Sequence, residues 1–139
     1  MSSIIIASVP IHGHVTPLLA IARHLVGRGD RVRFITGARF GDAVTATGAT
    51  HVPLPDGADF DDREDLHERF PDRAAVRGAK ALAFDIEHVF VQPARAQHDA
   101  VMSAHAASAA ASFTASDLTP LFPGARQAPQ TGRGHRCSP

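Results

Sequence analysis

The sequence predicts one α/β domain built on a parallel β-sheet, and three observations support this prediction. The chain has 139 residues, the size of one domain, and it is 44% apolar and 20% charged, as in globular proteins. Three short strand-like runs occur at residues 3–9, 31–36 and 50–54, and the first of them is apolar. Segments of helical periodicity separate these runs. Strands that alternate with helices are typical of a Rossmann-like fold, in which the strands are buried on both faces.

The first helix is predicted to begin at Thr16 and Pro17. Thr16 is a suitable N-cap, and proline fits the first position of a helix. Gly27 and Gly29 then end the helix. The run at 31–36 follows as a second strand, after a connection long enough for a parallel crossover.

A second helix, a third strand and an acidic segment are predicted next. The helix covers residues 38–47 and closes at Gly48, and the strand covers residues 50–54. Residues 56–73 contain eight acidic and three basic side chains but few large apolar ones. We expect this acidic segment to be a mobile, solvated loop with one helical turn inside it.

The last third of the chain lacks a clear core-forming pattern. Residues 74–91 have helical composition, and Pro93 interrupts the helix before a further helical stretch. Residues 112–118 are only a weak strand candidate, so the domain looks unfinished and its sheet is expected to keep an exposed edge. We therefore predict a partial domain at 1–115 and an irregular or disordered tail at 116–139.

Composition and missing motifs exclude several classes of function. Fourteen basic and fourteen acidic side chains cancel, so neither nucleic acid nor an anionic membrane is an expected partner. The single Cys137 cannot form an internal disulfide, and the first apolar run is too short for a signal peptide or membrane span, which predicts a cytoplasmic protein. The glycine fingerprint of NAD and FAD sites is absent. No metal site is predicted, because no cysteine or carboxylate completes a ligand set near the histidines.

The segment most informative about chemistry is PIHGHVTP, residues 10–17, between the first strand and the first helix. Ligands of open α/β sheets bind at the carboxyl ends of the strands, which is where this segment lies. Gly13 lets the backbone bend between His12 and His14. The positive end of the helix dipole favours a neutral imidazole at His14, the form that accepts a proton. The residues alone leave two interpretations open: a catalytic base, or loop histidines hydrogen-bonded to backbone.

A resemblance to a known family is carried by residues 3–55, which read SIIIASVPIHGHVTPLLAIARHLVGRGDRVRFITGARFGDAVTATGATHVPLP. This segment resembles the N-terminal, acceptor-side part of family-1 glycosyltransferases of the GT-B fold, especially bacterial enzymes that glycosylate macrolides and other natural products. The resemblance continues more loosely through FDIEHVFVQPARAQHDAV, residues 84–101. It implies that the chain is an incomplete N-terminal domain of a GT-B fold.

The resemblance also implies residue roles. His14 matches the family's catalytic base, which takes a proton from a hydroxyl of a small-molecule acceptor while that oxygen attacks a nucleotide-sugar with inversion. Asp117 stands 103 residues later, in altered surroundings, as the candidate for the family's aspartate that orients the base. No cofactor is implied, because the nucleotide-sugar is a co-substrate. The candidate acceptor-binding residues are His12, Gly13, Phe84, Ile86, Val89 and Phe90.

The sequence departs from the family in its last part. A GT-B enzyme binds its nucleotide-sugar mainly through a second domain, so the donor is expected as a partner only if such a domain is supplied. The change of composition near residue 104 suggests a truncation or a frame shift. Two functions therefore remain: a glycosyltransferase segment that is not expected to be active alone, or a noncatalytic remnant that binds a small molecule. The acidic segment 56–73 is either a lid over the acceptor or a plain solvated loop.

Overall fold

The computed structural model describes residues 1–107 and 112–116, which form a four-stranded parallel sheet with helices on both faces. The predicted α/β fold with a Rossmann-like parallel sheet is confirmed. The spatial order of the strands is β3-β2-β1-β4. Their bounds are β1 (Ser3–Ala7), β2 (Arg31–Thr36), β3 (Thr50–Pro53) and β4 (Ser112–Ser116).

The helices agree in number and order with the periodic segments of the sequence. They are α1 (His12–Gly27), α2 (Gly41–Thr45), α3 (Leu66–Arg69), α4 (Ala79–Ile86) and α5 (Ala94–Ala106). Short 3₁₀ turns occupy Ala38–Phe40 and Pro71–Ala75, and a π turn at Glu87–Val91 continues α4. Pro93 separates this π turn from α5, as its missing amide hydrogen predicted.

One face of the sheet packs against α1 and α2. Side chains alternate between the two faces of a strand, so every second residue of β1 and β2 points to the same helices. Phe34 is fully buried at the centre of this layer. The buried apolar side chains of the layer are Ile4, Ile6, Val15, Ala22, Val32, Phe34, Phe40, Val44 and Ala49.

The opposite face of the sheet packs against α5 and the segment after β3. Its buried apolar side chains are Ile5, Ala7, Val9, Ile35, Leu54, Ala58 and Ala104. All five residues of β1 are buried. Because β1 is covered on both faces, its sequence is continuously apolar instead of alternating.

The predicted start of the first helix is wrong. α1 begins at His12, four residues before Thr16, and Pro17 lies inside the helix. The amide of His12 donates a hydrogen bond to the carboxylate of Asp62, which is 50 residues away in sequence. No local sequence pattern could therefore indicate this cap. The hydroxyl of Thr16 donates to the His12 carbonyl at 2.8 Å instead of capping the amides that follow it. A long-range cap therefore overrides the local N-cap signal.

The weak strand candidate near residue 112 does form a strand. All five residues of β4 pair in parallel register with β1, from Ser3 opposite Ser112 to Ala7 opposite Ser116. Without β4, this edge of β1 would carry unpaired amide and carbonyl groups, and pairing satisfies them whatever the side chains of the partner are. A weak side-chain pattern therefore did not prevent this segment from forming a strand. The rest of the predicted tail, residues 117–139, lies outside the described residues.

Candidate functional site

The three central residues of PIHGHVTP form the first turn of α1. His12, Gly13 and His14 are all exposed at the carboxyl edge of the sheet. A Cβ atom added at Gly13 would meet no atom within 4 Å. The space above this turn is therefore open to a ligand, and both imidazoles border it.

The ring of His14 lies beside the helical region that follows the acidic segment. Its centroid is 6.5 Å from that of Phe90, with the ring planes inclined by 48°. Phe90 itself packs against the buried layer between the sheet and α5. The tertiary structure thus brings together two of the predicted site residues that are 76 positions apart in sequence.

The acidic segment 56–73 docks onto the first turn of α1. Oδ2 of Asp62 accepts a hydrogen bond from the amide of His12 at 2.6 Å, and Arg39 forms an ion pair with the same carboxylate. Arg39 also reaches Asp61, with its Nε atom 3.4 Å from Oδ1. A second anchor joins Oδ2 of Asp59 to the amide of Ala38 at 2.9 Å. The segment is therefore attached at the mouth of the site and is not a free loop.

We predict that Asp62→Ala lowers the free energy of unfolding by about 1.5–3 kcal/mol, the range for a lost hydrogen bond to a charged group. Asp62 is only 14% exposed, so its removal leaves the amide of His12 and the guanidinium of Arg39 poorly satisfied. Urea unfolding followed by circular dichroism measures the change. Asp56→Ala, an exposed position in the same segment, is the control. Equal stability of the two variants contradicts the anchoring role of Asp62.

An aromatic cluster of Phe70, Phe84 and His88 lies next to the site. The rings of Phe84 and His88 are stacked, with centroids 3.8 Å apart and planes inclined by 15°. Phe70 meets both of them edge-on, at 5.2 Å from His88 and 6.1 Å from Phe84. Aromatic pairs favour these offset and edge-to-face arrangements, so the three rings hold one another in place. We call this cluster the aromatic wall.

A cavity of about 300 Å³ opens against this wall. Its lining includes Arg69, whose guanidinium lies 5.4 Å from the ring centre of Phe60 and 5.7 Å from that of Phe70. The lining combines polar and apolar surface in similar amounts, whereas small-molecule sites are usually lined mostly by apolar groups. The lining residues are Gly57, Ala58, Phe60, Arg69, Phe70, His88, Val89, Gln92 and Pro93.

The predicted acceptor-binding residues occupy different places around this cavity. Val89 lines it, and Phe84 stands behind His88 in the aromatic wall. Phe90 lies between the buried layer and His14, outside the lining. Ile86 is 48% exposed and is also outside the lining.

Sequence reasoning missed His88, Arg69 and Asp62. His88 was present in the segment with family resemblance, four residues after Phe84, which is the helical spacing for two side chains that touch. That spacing was the signal that could have found it. No local signal linked Asp62 to α1, because the contact joins residues 50 positions apart.

A bidentate ion pair holds the aromatic wall in place. Nε of Arg73 donates to Asp85 at 2.5 Å and a terminal guanidinium nitrogen donates at 3.0 Å, which joins the 3₁₀ turn after Phe70 to α4. The hydrogen bonds from Arg73 hold the pKa of Asp85 below its ordinary value, although partial burial opposes the shift. The pair fixes the segment that carries Phe70 against the helix that carries Phe84.

The lowered pKa of Asp85 predicts a pH-dependent contribution to stability. A carboxylate whose pKa is depressed by folding stabilises the folded state fully above its unfolded-state pKa near 4. The contribution is lost as the pH falls through the lower pKa of the folded state. We therefore expect wild type to be more stable than Asp85→Asn at pH 7, with the difference shrinking as the pH falls below about 4. Urea titrations of both proteins at several pH values test this; a constant difference contradicts it.

Three further expectations concern Asp117, a metal site and a membrane-spanning helix. Asp117, the candidate partner of the base, follows β4 directly in sequence but lies outside the described residues. Within residues 1–107 and 112–116, no group of three or more histidine, cysteine or acidic residues could hold a metal ion. Among the helices of the same residues, none has the length and apolar character needed to span a bilayer.

A parallel α/β sheet with two exposed histidines at its carboxyl edge defines a domain of the Rossmann-like class. Comparison with solved structures narrows this class. The calicheamicin glycosyltransferase CalG4 superimposes with a TM-score of 0.55 and 28% identity, over 75% of this chain and 24% of CalG4. The glycosyltransferase SsfS6 of Streptomyces sp. SF2575 shares the fold with a TM-score of 0.56 at 19% identity, over 82% of this chain and 33% of SsfS6.

Sequence comparison gives the same family. The chain is 35% identical to 4'-demethylrebeccamycin synthase of Lentzea aerocolonigenes over 94 residues, which are 68% of this chain and 22% of that protein. It is 33% identical to UDP-glucosyltransferase B1 of Starmerella bombicola over 102 residues, 73% of this chain and 23% of that protein. No protein-family model matches the chain.

The resemblance to family-1 glycosyltransferases of the GT-B fold is thus confirmed, and the fold of the chain is that of their N-terminal domain. The chain spans little more than a fifth of the length of the curated relatives that it matches.

Proposed function

We propose that this chain supplies the acceptor side of an inverting glycosyltransferase, with His14 as the general base. Nε2 or Nδ1 of His14 takes the proton of an acceptor hydroxyl as its oxygen attacks the anomeric carbon of a nucleotide-sugar. The new bond joins the acceptor oxygen to the sugar, and the bond from the sugar to the diphosphate breaks. The nucleoside diphosphate leaves with the bonding electron pair, and His14 retains the proton.

The exposure of His14 at the carboxyl edge of the sheet is the observation that supports this proposal most strongly. A buried imidazole could not reach an external hydroxyl, whereas this ring borders open space above Gly13. Phe90 adjoins His14, and its neighbour Val89 lines the cavity. An acceptor in the cavity therefore needs to extend past Phe90 to bring a hydroxyl to the base.

The other predicted residues take supporting roles in this proposal. His12 flanks the acceptor on the same turn as His14, and Gly13 leaves room for the sugar or the acceptor to approach the backbone. Asp117 is proposed to orient the imidazole of His14 and to stabilise its protonated form. The donor is a nucleotide-sugar bound mainly by a second domain, and the acceptor is a hydroxylated small molecule.

A second candidate function is acceptor binding without catalysis. It is favoured by the cavity, whose lining comes entirely from residues 57–93 of this chain. A module of this kind would bind an acceptor without transferring a sugar to it.

A transfer assay distinguishes the two functions. The 94 matched residues of 4'-demethylrebeccamycin synthase are replaced by those of this chain, and the chimera is incubated with a labelled nucleotide-sugar and a panel of hydroxylated aromatic acceptors. The isolated chain is tested in parallel for acceptor binding. Transfer by the chimera supports the catalytic proposal. Acceptor binding by the chain together with a folded but inactive chimera supports the noncatalytic module.

A further inference from the structure

His88 has one ring nitrogen committed to its own helix. Nδ1 lies 2.9 Å from the carbonyl oxygen of Phe84. A carbonyl oxygen only accepts, so Nδ1 carries the hydrogen of this bond. In the neutral ring this leaves Nε2 as the hydrogen-bond acceptor.

The surroundings keep the ring of His88 in one orientation. It is stacked on Phe84 and met edge-on by Phe70, and the hydrogen bond to the Phe84 carbonyl prevents it from rotating. The residue belongs to the π turn Glu87–Val91, in which the amide of Gln92 bonds to the carbonyl of Glu87 at 2.8 Å. Among the described residues no hydrogen-bond partner of Nε2 is seen.

The cavity next to His88 suits a flat ring. Its volume of about 300 Å³ lies at the small end of the range for ligand pockets. Phe60 and Phe70 contribute aromatic surface to the lining, and Ala58 and Val89 add buried apolar surface. An aromatic ring gains contact with these walls, and a hydroxyl on the ring supplies the hydrogen that Nε2 can accept.

We infer that His88 determines acceptor specificity in this cavity by accepting, through Nε2, a hydrogen bond from an aromatic hydroxyl group whose ring packs against Phe70. This inference rests on the proposed function, because it assigns the cavity to the acceptor. It separates two hydroxyls of the acceptor by role: one bonds to His88 and orients the molecule, and another reaches His14. His88 is thus a binding residue and His14 the base.

The test uses the purified chain and three probes that share the same fused two-ring carbon skeleton. These are 2-naphthol, its methyl ether 2-methoxynaphthalene, and the saturated alcohol decahydro-2-naphthol, with binding measured by isothermal titration calorimetry. His88→Phe keeps the stacked ring and removes Nε2. His24→Phe, at an exposed position of α1, is the matched control. Circular dichroism and thermal melting verify that the variants are folded.

We expect 2-naphthol to bind His88→Phe about tenfold more weakly than wild type, the upper effect of one neutral hydrogen bond. The methyl ether is expected to bind both proteins equally, and the saturated alcohol to bind wild type more weakly than 2-naphthol. Equal binding of 2-naphthol to wild type and His88→Phe overturns the role of His88. Equal binding of the saturated and aromatic alcohols overturns the aromatic specificity.

A cavity-blocking variant separates failure of this inference from failure of the proposed function. Gly57 lines the cavity, is exposed, and has no atom within 4 Å of an added Cβ, so Gly57→Trp adds bulk at the mouth without strain. We expect all three probes to lose binding in this variant. If blocking removes binding but His88→Phe does not, the acceptor cavity stands and only the role of His88 fails. If wild type binds no probe, or Gly57→Trp binds them normally, the cavity is not the acceptor site and both fail.

Discussion

Replacing His14 with alanine in the chimeric enzyme is expected to lower kcat for sugar transfer by about 10²–10⁴-fold, the usual contribution of a general base. A neutral alcohol is a poor nucleophile, and the base acts only as the new bond forms. The loss therefore falls on kcat, and KM for the acceptor changes little. Initial rates at varied acceptor concentration, with a labelled nucleotide-sugar, measure the two constants separately.

His24→Ala is the matched control for this prediction. His24 lies on the same helix and is exposed, but it is three turns away from the open space at the first turn. We expect its kcat to equal that of the unaltered chimera. A His14→Ala chimera that retains its kcat within about twofold contradicts the assignment of the base, because one lost general base costs at least 10²-fold.

Phe34→Ala is expected to destabilise the domain by about 3–5 kcal/mol, the range for truncation of a buried aromatic side chain. Phe34 is fully buried in β2, one of the two central strands of the sheet, and packs with side chains of β1, α1 and α2. Truncation removes apolar surface from the core and leaves a cavity that the neighbours fill only in part. Because domains are stable by only about 5–15 kcal/mol, a large part of the protein's stability is lost.

Urea unfolding measures the effect of Phe34→Ala, with Leu82→Ala as the control. Leu82 is 62% exposed, so its truncation is expected to change the free energy of unfolding by less than about 0.5 kcal/mol. A loss of less than about 1 kcal/mol for Phe34→Ala contradicts the central place of this residue, because it lies below the range for buried apolar truncations.

The strands that are covered on both faces were the easiest part to predict. The run at 3–9 is almost continuously apolar, which is the pattern that burial from two sides requires, and all of β1 is buried. In β2 the apolar residues Val32, Phe34 and Ile35 are the buried ones. β4 gave no such signal, since its residues 112–116 include three serine or threonine residues. Its pairing with β1 depends on backbone groups, which every sequence provides.

The site was also only partly predictable from the sequence, because some of its features are local and others depend on long-range contacts. The motif around His14 is contiguous, so its place between a strand and a helix followed from the sequence. The neighbours of that motif did not, because Asp62 and Phe90 are 50 or more positions away. The start of α1 was misplaced for the same reason: its cap comes from Asp62 and not from a preceding residue.

The sequence by itself determined the α/β class, the order of the helices and strands up to residue 106, and the segment in which a base can lie, since periodicity and motif spacing are local properties. The tertiary structure decided where α1 begins, that the acidic segment docks on it, and that His88 and Phe70 share the wall of one cavity. Those contacts depend on which distant residues meet when the sheet forms. A linear pattern carries no distances between residues far apart in the chain, so only the folded molecule could reveal them.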